Sequence, residues 1–141
     1  MNKFLFLTIL LILRFSTVQA ETANDIVDIK KTAMDYMESW YQGDAKKMRE
    51  SLHPNLAKRS LKVMNGKIKL SQTTASDMID WTRIGFGKNL WSDTHQIEVV
   101  VLDLYQNIAS VKIVTPDYRE YLHLLKINKK WVAVNALYEK K

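Results

Sequence analysis

Four side chains in the last third of the chain have the chemistry for proton transfer or ligand binding. Asp103 or His123 could act as a general base, because an imidazole has an unperturbed pKa of about 6.5 and a carboxylate in an apolar cavity can abstract a proton. Tyr121 could donate to a developing oxyanion, and the Asn135 amide could bind a ligand. Each also has a structural interpretation, such as a turn-bonding aspartate or a half-buried histidine bonded to a neighbouring strand. Residue type alone leaves both interpretations open.

Aromatic and imidazole side chains earlier in the chain extend this set. Tyr36 and Trp40 are four residues apart on a predicted helix, so they face one way and belong either to the core or to the floor of a cavity. His53 precedes Pro54 at a predicted helix end, where it either caps the helix or contacts a ligand. Trp91 lies on a predicted loop over residues 88–94 that could cover a site. The predicted ligand-binding residues are thus Tyr36, Trp40, His53, Trp91, Tyr121, His123 and Asn135.

Several sequence patterns that would indicate a cofactor or a metal are missing. The chain has no cysteine, no glycine-rich phosphate loop, no HExxH spacing and no GxSxG elbow. Its three histidines are far apart in sequence, and nothing in their spacing supports a metal site. The sequence therefore predicts no metal, no cofactor and no disulfide bond.

The charge is mildly basic, with 21 Lys and Arg against 15 Asp and Glu. Part of the excess is a cluster between residues 58 and 69, for which a solvated face is the favoured interpretation and a patch for anionic lipid or another acidic partner is the alternative. This cluster comprises Lys58, Arg59, Lys62, Lys67 and Lys69. Nucleic acid is not expected as a partner, because the chain is predicted to be exported.

The first twenty residues have the layout of a secretory signal peptide. Lys3 precedes an apolar stretch over residues 4–13, and Ala20 stands at a position that a signal peptidase reads. The stretch is about half the roughly 20 residues of a membrane-spanning helix, although an uncleaved anchor is the alternative. We predict a signal peptide over residues 1–20, a single domain over residues 21–141, no stable membrane span after cleavage, and a periplasmic or secreted location.

The spacing of apolar residues predicts helices in the first part of the domain and strands in the last part. Steps of three and four predict a helix over residues 24–41 that Asn24 caps and Gly43 ends, and Asp44 can cap a second helix. A short third helix is predicted over residues 55–61, an edge strand over 67–70, and a fourth helix after Thr74, which begins a capping box with Asp77. This order of elements, followed by strands, predicts an α+β fold with the helices on one face of a curved antiparallel sheet.

Residues 95–138 form four apolar runs separated by turns, which predicts an antiparallel meander. Strict alternation places His123 with Tyr121 on one face of the third strand. It places Asn135 on the face of Trp131 in the fourth strand, and Asp103 on the face of Val101 in the first. These polar residues lie within otherwise apolar runs, which favours a pocket with a few polar groups.

These residues together resemble a known family. Trp40-x-x-Gly43-Asp44, His53-Pro54, the strand IASVK, Tyr121-Leu122-x-Leu124, and Trp131 with Asn135 resemble the putative lumazine-binding family of the nuclear transport factor 2-like superfamily. The resemblance covers residues 25–139. It implies a cone-shaped α+β fold with a cavity and often a homodimer through the outer face of the sheet. Lys129 stands where such proteins often carry glycine in the turn.

We expect an exported, small-molecule-binding module without catalysis, because the sequence shows no matched acid–base pair. The family name alone indicates a pterin-like or flavin-like ligand. One alternative is an isomerase or dehydratase with Asp103 or His123 as base and Tyr121 as oxyanion donor, since superfamily relatives include such enzymes. The other alternative is an envelope protein-interaction module that docks through its sheet. Fold alone does not choose between them.

Overall fold

The structure is a computed structural model that describes the backbone of residues 2–90 and 96–141 and, within these ranges, all side chains except those of residues 2–21 and 89. Its elements in chain order are α1 (Asn2–Gln42), α2 (Ala45–Ser51), β1 (Leu52–Met64), β2 (Lys67–Thr74), α3 (Ala75–Arg83), a 3₁₀ turn (Phe86–Asn89), β3 (Glu98–Tyr105), β4 (Ile108–Val114), β5 (Tyr118–Ile127) and β6 (Lys130–Lys140).

Helix α1 supplies the largest apolar face of the helical layer. Ile29, Ala33 and Met37 follow the predicted helical spacing and are buried. The predicted start at Asn24 is wrong, since α1 runs without a break from Asn2. The predicted end is confirmed, because Gly43 adopts a left-handed conformation with φ of 72°. The carboxylate of Asp44 then accepts the Lys47 backbone N–H and caps α2.

The predicted helix over residues 55–61 is wrong, because this segment belongs to β1. Leu56, Lys58 and Ser60 alternate with more exposed residues and point into the core. Two of the three inward side chains are polar, so the period of two that marks a strand was absent from the apolar pattern. Pro54 lies where the pairing of β1 with β6 shifts register, between Leu52 and Ala57.

The segments around β2 and α3 follow the predictions closely. The Asn65-Gly66 turn joins β1 to the edge strand β2, with positive φ at both residues. Thr74 and Asp77 form the predicted capping box at the start of α3. Gly87 in the following 3₁₀ turn packs so closely on α1 that an added Cβ would lie 2.1 Å from the Trp40 carbonyl oxygen. Trp91 and most of the predicted covering loop lie outside the described residues.

The six strands form one mixed sheet in the order β2-β1-β6-β5-β4-β3. Strands β3 to β6 make the predicted antiparallel meander, whereas β1 pairs with β6 in parallel, so the sheet is not wholly antiparallel. At the turn between β5 and β6, Asn128 and Lys129 both have positive φ, which shows that Lys129 takes the conformation usual for glycine. The helices pack on the inner face of this sheet, which confirms the α+β fold.

Two β-bulges change which face some predicted site residues occupy. One bulge lies between Val101 and Asp103, and the other shifts the register of β5 and β6 next to His123. Each adds a residue to one strand and reverses the alternation beyond it. The predicted placements of Asp103 with Val101 and of Asn135 with Trp131 are therefore wrong.

The same two bulges align a polar row on the outer face, away from the helices. Across the strands, Asp103 pairs with Ser110, Ser110 with His123, and His123 with Asn135. Among the residues described, none of the helices is both long and apolar enough to cross a membrane.

Asp25 ties the helical layer to the sheet. Its buried carboxylate accepts the Trp131 indole N–H at 3.0 Å and the Lys126 ammonium at 2.7 Å. Burial acts to raise the pKa of Asp25, but the hydrogen bonds from Lys126 and Trp131 and the charge of Lys126 outweigh it, so this pKa lies below its usual value of 3.8. The contact stabilises the fold only while Asp25 is ionised.

We predict that Asp25→Asn lowers the free energy of unfolding by about 2 kcal/mol at pH 7, because the buried donors lose a charged acceptor. A carboxyl group whose pKa is lower in the folded state than in the unfolded state stabilises the fold when it is ionised. This stabilisation is complete above the pKa of the unfolded state and is lost as the pH falls through the pKa of the folded state. The gap between wild type and variant should thus narrow below about pH 4. Urea unfolding at pH 7 and pH 3 measures this difference in the free energy of unfolding. Asp28→Asn is the control, because Asp28 is a nearby aspartate on α1 that is exposed. A gap that does not change with pH would contradict this account.

Candidate functional site

A closed network of three polar side chains lies between α1 and the inner face of the sheet. The Lys58 ammonium donates to Glu120 Oε1 and to the Tyr36 hydroxyl, both at 2.6 Å, and the Tyr36 hydroxyl donates to Glu120 Oε2 at 2.8 Å. All three residues are at least 95% buried. The Lys58 ammonium also lies 4.0 Å from the centre of the Tyr138 ring, which adds a cation–π contact. Both charges are thus paired and hydrogen-bonded.

Phenol groups around this network remain protonated at neutral pH. Burial, then the charge of Glu120 and its hydrogen bond, raise the pKa of Tyr36 well above its usual value. Burial is also the main cause that raises the pKa of Tyr118 to about 12, partly opposed by the Trp40 indole N–H beside it. These hydroxyls therefore remain neutral hydrogen-bonding groups and do not act as bases.

The open space beside the network is small. A pocket of about 40 Å³ lies between α1, α3 and the sheet. Its lining includes Trp40, Trp81, Tyr118 and Tyr138. The buried Trp40 indole N–H has no hydrogen-bond acceptor at bonding geometry among the described residues. Ligand cavities usually have volumes of about 300 to 1,000 Å³, so this pocket has room for water but not for a planar ring system.

A larger groove lies on the other side of Tyr138. Strands β1 and β6 pair only as far as Arg59 and Leu137, and beyond this point β1 continues with β2 alone. The gap that opens has a volume of about 410 Å³. Its lining residues are Leu61, Arg119, Tyr121, Leu137, Tyr138, Glu139, Lys140 and Lys141. We call this gap the β1/β6 groove.

The β1/β6 groove has an apolar floor and a mostly basic rim. Leu137 is 55% exposed and Tyr121 is 42% exposed at the floor. At the rim, Arg119 and Lys140 have no carboxylate at ion-pair distance within the described part of the chain, whereas the Lys141 ammonium donates to the Thr115 carbonyl. Glu139 is the acidic residue of the lining. This arrangement suits a ligand with an apolar body and a negative group.

The predicted site residues fall into separate places. Tyr36 and Trp40 face the inner pocket, and Tyr121 faces the β1/β6 groove. His53 lies at the start of β1, where its Nδ1 accepts the Asn55 backbone N–H at 3.1 Å. Trp91 lies outside the described residues. The six of these side chains that the structure describes are therefore not brought together in one cavity.

His123 and Asp103 lie on the outer face, with Ser110 of β4 between them. Both line a depression of about 290 Å³ that does not include Tyr121. The Asp103 carboxylate is exposed and accepts the Leu104 backbone N–H. Asn135 accepts from Arg59 at 2.9 Å through its Oδ1, and its Nδ2 lies 3.1 Å from His123 Nδ1. Tyr121 and His123 share the outer face of β5, as predicted, but the candidate base and the candidate oxyanion donor line different depressions of that face.

Lys58 and Glu120 are the residues that sequence reasoning missed. Lys58 was grouped with an exposed basic cluster, but it is only 5% exposed. The burial of Glu120 could have been predicted, because alternation places it on the same strand face as Leu122 and Leu124. A glutamate on an apolar face needs a buried cation as partner. Nothing in the sequence shows that the partner is Lys58, which is 62 residues away.

We predict that Lys58→Met lowers the free energy of unfolding by about 3 kcal/mol or more, because Glu120 is left as an unpaired buried charge. Adding Glu120→Gln removes that charge and keeps an acceptor for Tyr36. The double variant should therefore recover at least about half of the loss. Urea unfolding measures all four members of the cycle. Lys62→Met, an exposed lysine on the same strand, should change stability by less than about 0.5 kcal/mol. Simple additivity of the two substitutions would show that the pair is not coupled.

Comparison with known proteins agrees with this architecture. An NTF2-like protein of unknown function from Shewanella baltica OS155 has a TM-score of 0.66 and 20% identity, with 84% of this chain and 95% of that chain covered. An NTF-2 like protein of unknown function from Silicibacter pomeroyi DSS-3 has a TM-score of 0.67 and 13% identity, with coverage of 85% and 98%. A ketosteroid isomerase-like protein from Erwinia carotovora atroseptica SCRI1043 has a TM-score of 0.53 and 13% identity, with coverage of 81% and 94%.

These structural likenesses show the nuclear transport factor 2-like fold and, at such identities, no shared activity. No curated protein matches the sequence. A family model described as Putative lumazine-binding matches residues 24–139, which is most of the chain. The chain therefore belongs to the putative lumazine-binding family.

Proposed function

We propose that this chain is an exported, non-catalytic module that binds a small molecule in the β1/β6 groove. The observation that best supports this proposal is the volume of the groove, which is about 410 Å³, whereas the inner pocket has a volume of only about 40 Å³. The first volume lies in the usual range for ligand cavities and the second does not. Export rests on the signal-peptide pattern of residues 1–20.

The lining of the β1/β6 groove indicates the chemical class of the ligand. Leu61, Tyr121 and Leu137 offer apolar and aromatic surface, and Arg119 and Lys140 offer positive charge. We expect an apolar or aromatic body that carries a negative group. A pterin or flavin with an anionic substituent has this chemistry, as the family name suggests, and so does a fatty acid.

Binding without catalysis fits the placement of the titratable groups. Glu120 is held by the Lys58 ammonium and the Tyr36 hydroxyl, so its carboxylate is not free to accept a substrate proton. Asp103 and His123 line a depression of the outer face, and Tyr121, two residues from His123 on the same face, is not part of that lining. A base and an oxyanion donor would have to act on the same substrate atoms, and these groups line different depressions of the outer face.

We predict that the full chain binds flavin mononucleotide or lauric acid and that Leu137→Glu weakens this binding by tenfold or more. The substitution places a charge on the apolar floor and repels the negative group of the ligand. Isothermal titration calorimetry measures the affinity, and the two ligands distinguish a planar from an acyl body. Leu102→Glu is the matched control, since Leu102 is exposed to a similar degree, 52% against 55%, and lies outside the groove. Binding that Leu137→Glu leaves unchanged would refute the site.

We also propose a homodimer through a second apolar patch at the other end of the sheet's outer face. This patch, the β3–β5 patch, comprises Leu102, Tyr105, Ile108, Leu125 and Ile127, most of which are substantially exposed. Tyr105, Ile108 and Leu125 are paired across three neighbouring strands, so they form one continuous surface. A second copy is the occupant that the family resemblance implies, and burial of such a surface favours association.

We predict that the full chain sediments as a dimer and that Leu102→Glu shifts it towards monomer, because a buried like-charge pair would form near the contact. Sedimentation velocity over a range of concentrations measures the shift. Leu137→Glu, outside the β3–β5 patch, should leave the dimer intact. The two glutamate variants thus control for each other, and a monomeric wild type would contradict the dimer without affecting the ligand proposal.

A further inference from the structure

The hairpin formed by the ends of β1 and β2 projects beyond the body of the sheet. β1 leaves β6 after Arg59, and from Ser60 to Ser71 the two strands pair only with each other around the Asn65-Gly66 turn. We call this segment, residues 60–71, the arm. Ser60 at the base of the arm is buried, but every residue from Leu61 to Leu70 is exposed, so the ribbon meets solvent on both faces.

The arm exposes an unusual amount of apolar surface. Leu61 faces Leu70 and Val63 faces Ile68 across the ribbon, so four branched side chains share one face. Each is between 65% and 74% exposed, and Met64 at the tip is 53% exposed. Contiguous apolar surface of this kind usually marks an interaction site.

The charge of the arm is of one sign. Lys62 and Lys69 face each other directly, and Lys67 lies beside the turn. In the part of the chain that the structure describes, no carboxylate lies at ion-pair distance from any of the three. The sequence contains no Asp or Glu from residue 51 to residue 76. Like charges directly opposite each other destabilise a strand pair, so an external anion would relieve this repulsion.

We propose that the arm docks on the surface of an anionic phospholipid bilayer. A strand rises about 3.3 Å per residue, so Lys62 and Lys69 lie roughly 10 Å behind the tip. Apolar segments at bilayer interfaces enter to a depth of about 5–10 Å. With Val63, Met64 and Ile68 at that depth, Lys62 and Lys69 reach the level of the phosphates, and the long Lys67 side chain extends back towards them.

The charges of the arm favour this occupant over a second copy of the chain. Two arms in contact would bring six lysines together without a carboxylate between them. An anionic bilayer satisfies the apolar side chains and the lysines at once. The proposal does not depend on the ligand of the β1/β6 groove, because the arm residues that insert lie outside the lining of that groove, which includes only Leu61 of the arm.

The test uses the absence of cysteine from the chain, which permits a single labelled site. Val63→Cys in the full chain carries the environment-sensitive fluorophore NBD and is mixed with vesicles of phosphatidylglycerol or of phosphatidylcholine. We expect a blue shift and brighter emission with phosphatidylglycerol only. Lys62→Gln with Lys69→Gln should lower the vesicle partition coefficient roughly 30-fold, while circular dichroism stays unchanged.

Val27→Cys is the matched control, since Val27 is an exposed valine on α1, next to the apolar first twenty residues. A fluorescence change at position 27 without one at position 63 would show that the chain binds vesicles through residues 1–20 and would overturn the proposal. A response at position 63 that persists without the two lysines, or that appears without vesicles as protein concentration rises, would also overturn it. The latter outcome would identify a second copy as the occupant.

Discussion

The ion pair between Lys58 and Glu120 is the constraint on which the arrangement of the core depends. Two buried charges are costly unless each is paired and hydrogen-bonded. Here Lys58 and Glu120 pair with each other, and the Tyr36 hydroxyl adds a hydrogen bond to each of them. The three residues come from β1, β5 and α1, so the network can close only when these elements occupy their observed positions. Replacing the pair with apolar side chains would not specify the position of β1 in this way, because apolar contacts tolerate more than one packing.

The same network determines where the molecule has open space. A lysine, a glutamate and several aromatic rings lie between the helices and the sheet, and the pocket beside them has a volume of only about 40 Å³. Tyr138 lies between this pocket and the β1/β6 groove and lines both. Its ring is held against the Lys58 ammonium, so the network also closes the gap in the sheet from the inside. The larger open space lies in the β1/β6 groove, outside the layer between the helices and the sheet.

The sequence predicted the elements whose signals are local. The capping box at Thr74, the end of α1 at Gly43 and the turn at Asn65-Gly66 depend on residues within four positions, and each is confirmed. The helix predicted over residues 55–61 is instead part of β1. The inward positions of this strand include Lys58, whose burial requires Glu120, far away in sequence. Short-range periodicity cannot show such a partner. The candidate site was therefore predicted in part, with Tyr36, Trp40 and Tyr121 beside cavities and Lys58 and Glu120 missed.

The bulges account for the remaining errors at the candidate site. Alternation assigns a face to every strand residue, but one extra residue reverses all assignments beyond it. Two bulges moved Asp103 and Asn135 to the outer face, where they join His123 and Ser110 in one row across four strands. There Asn135 accepts a hydrogen bond from Arg59 and lies within hydrogen-bond distance of His123, so these side chains are hydrogen-bonded on a solvent-facing surface. Polar residues within apolar strands thus mark a ligand pocket only when the register of the sheet is known, because the same pattern arises from a polar row on a solvent-facing surface.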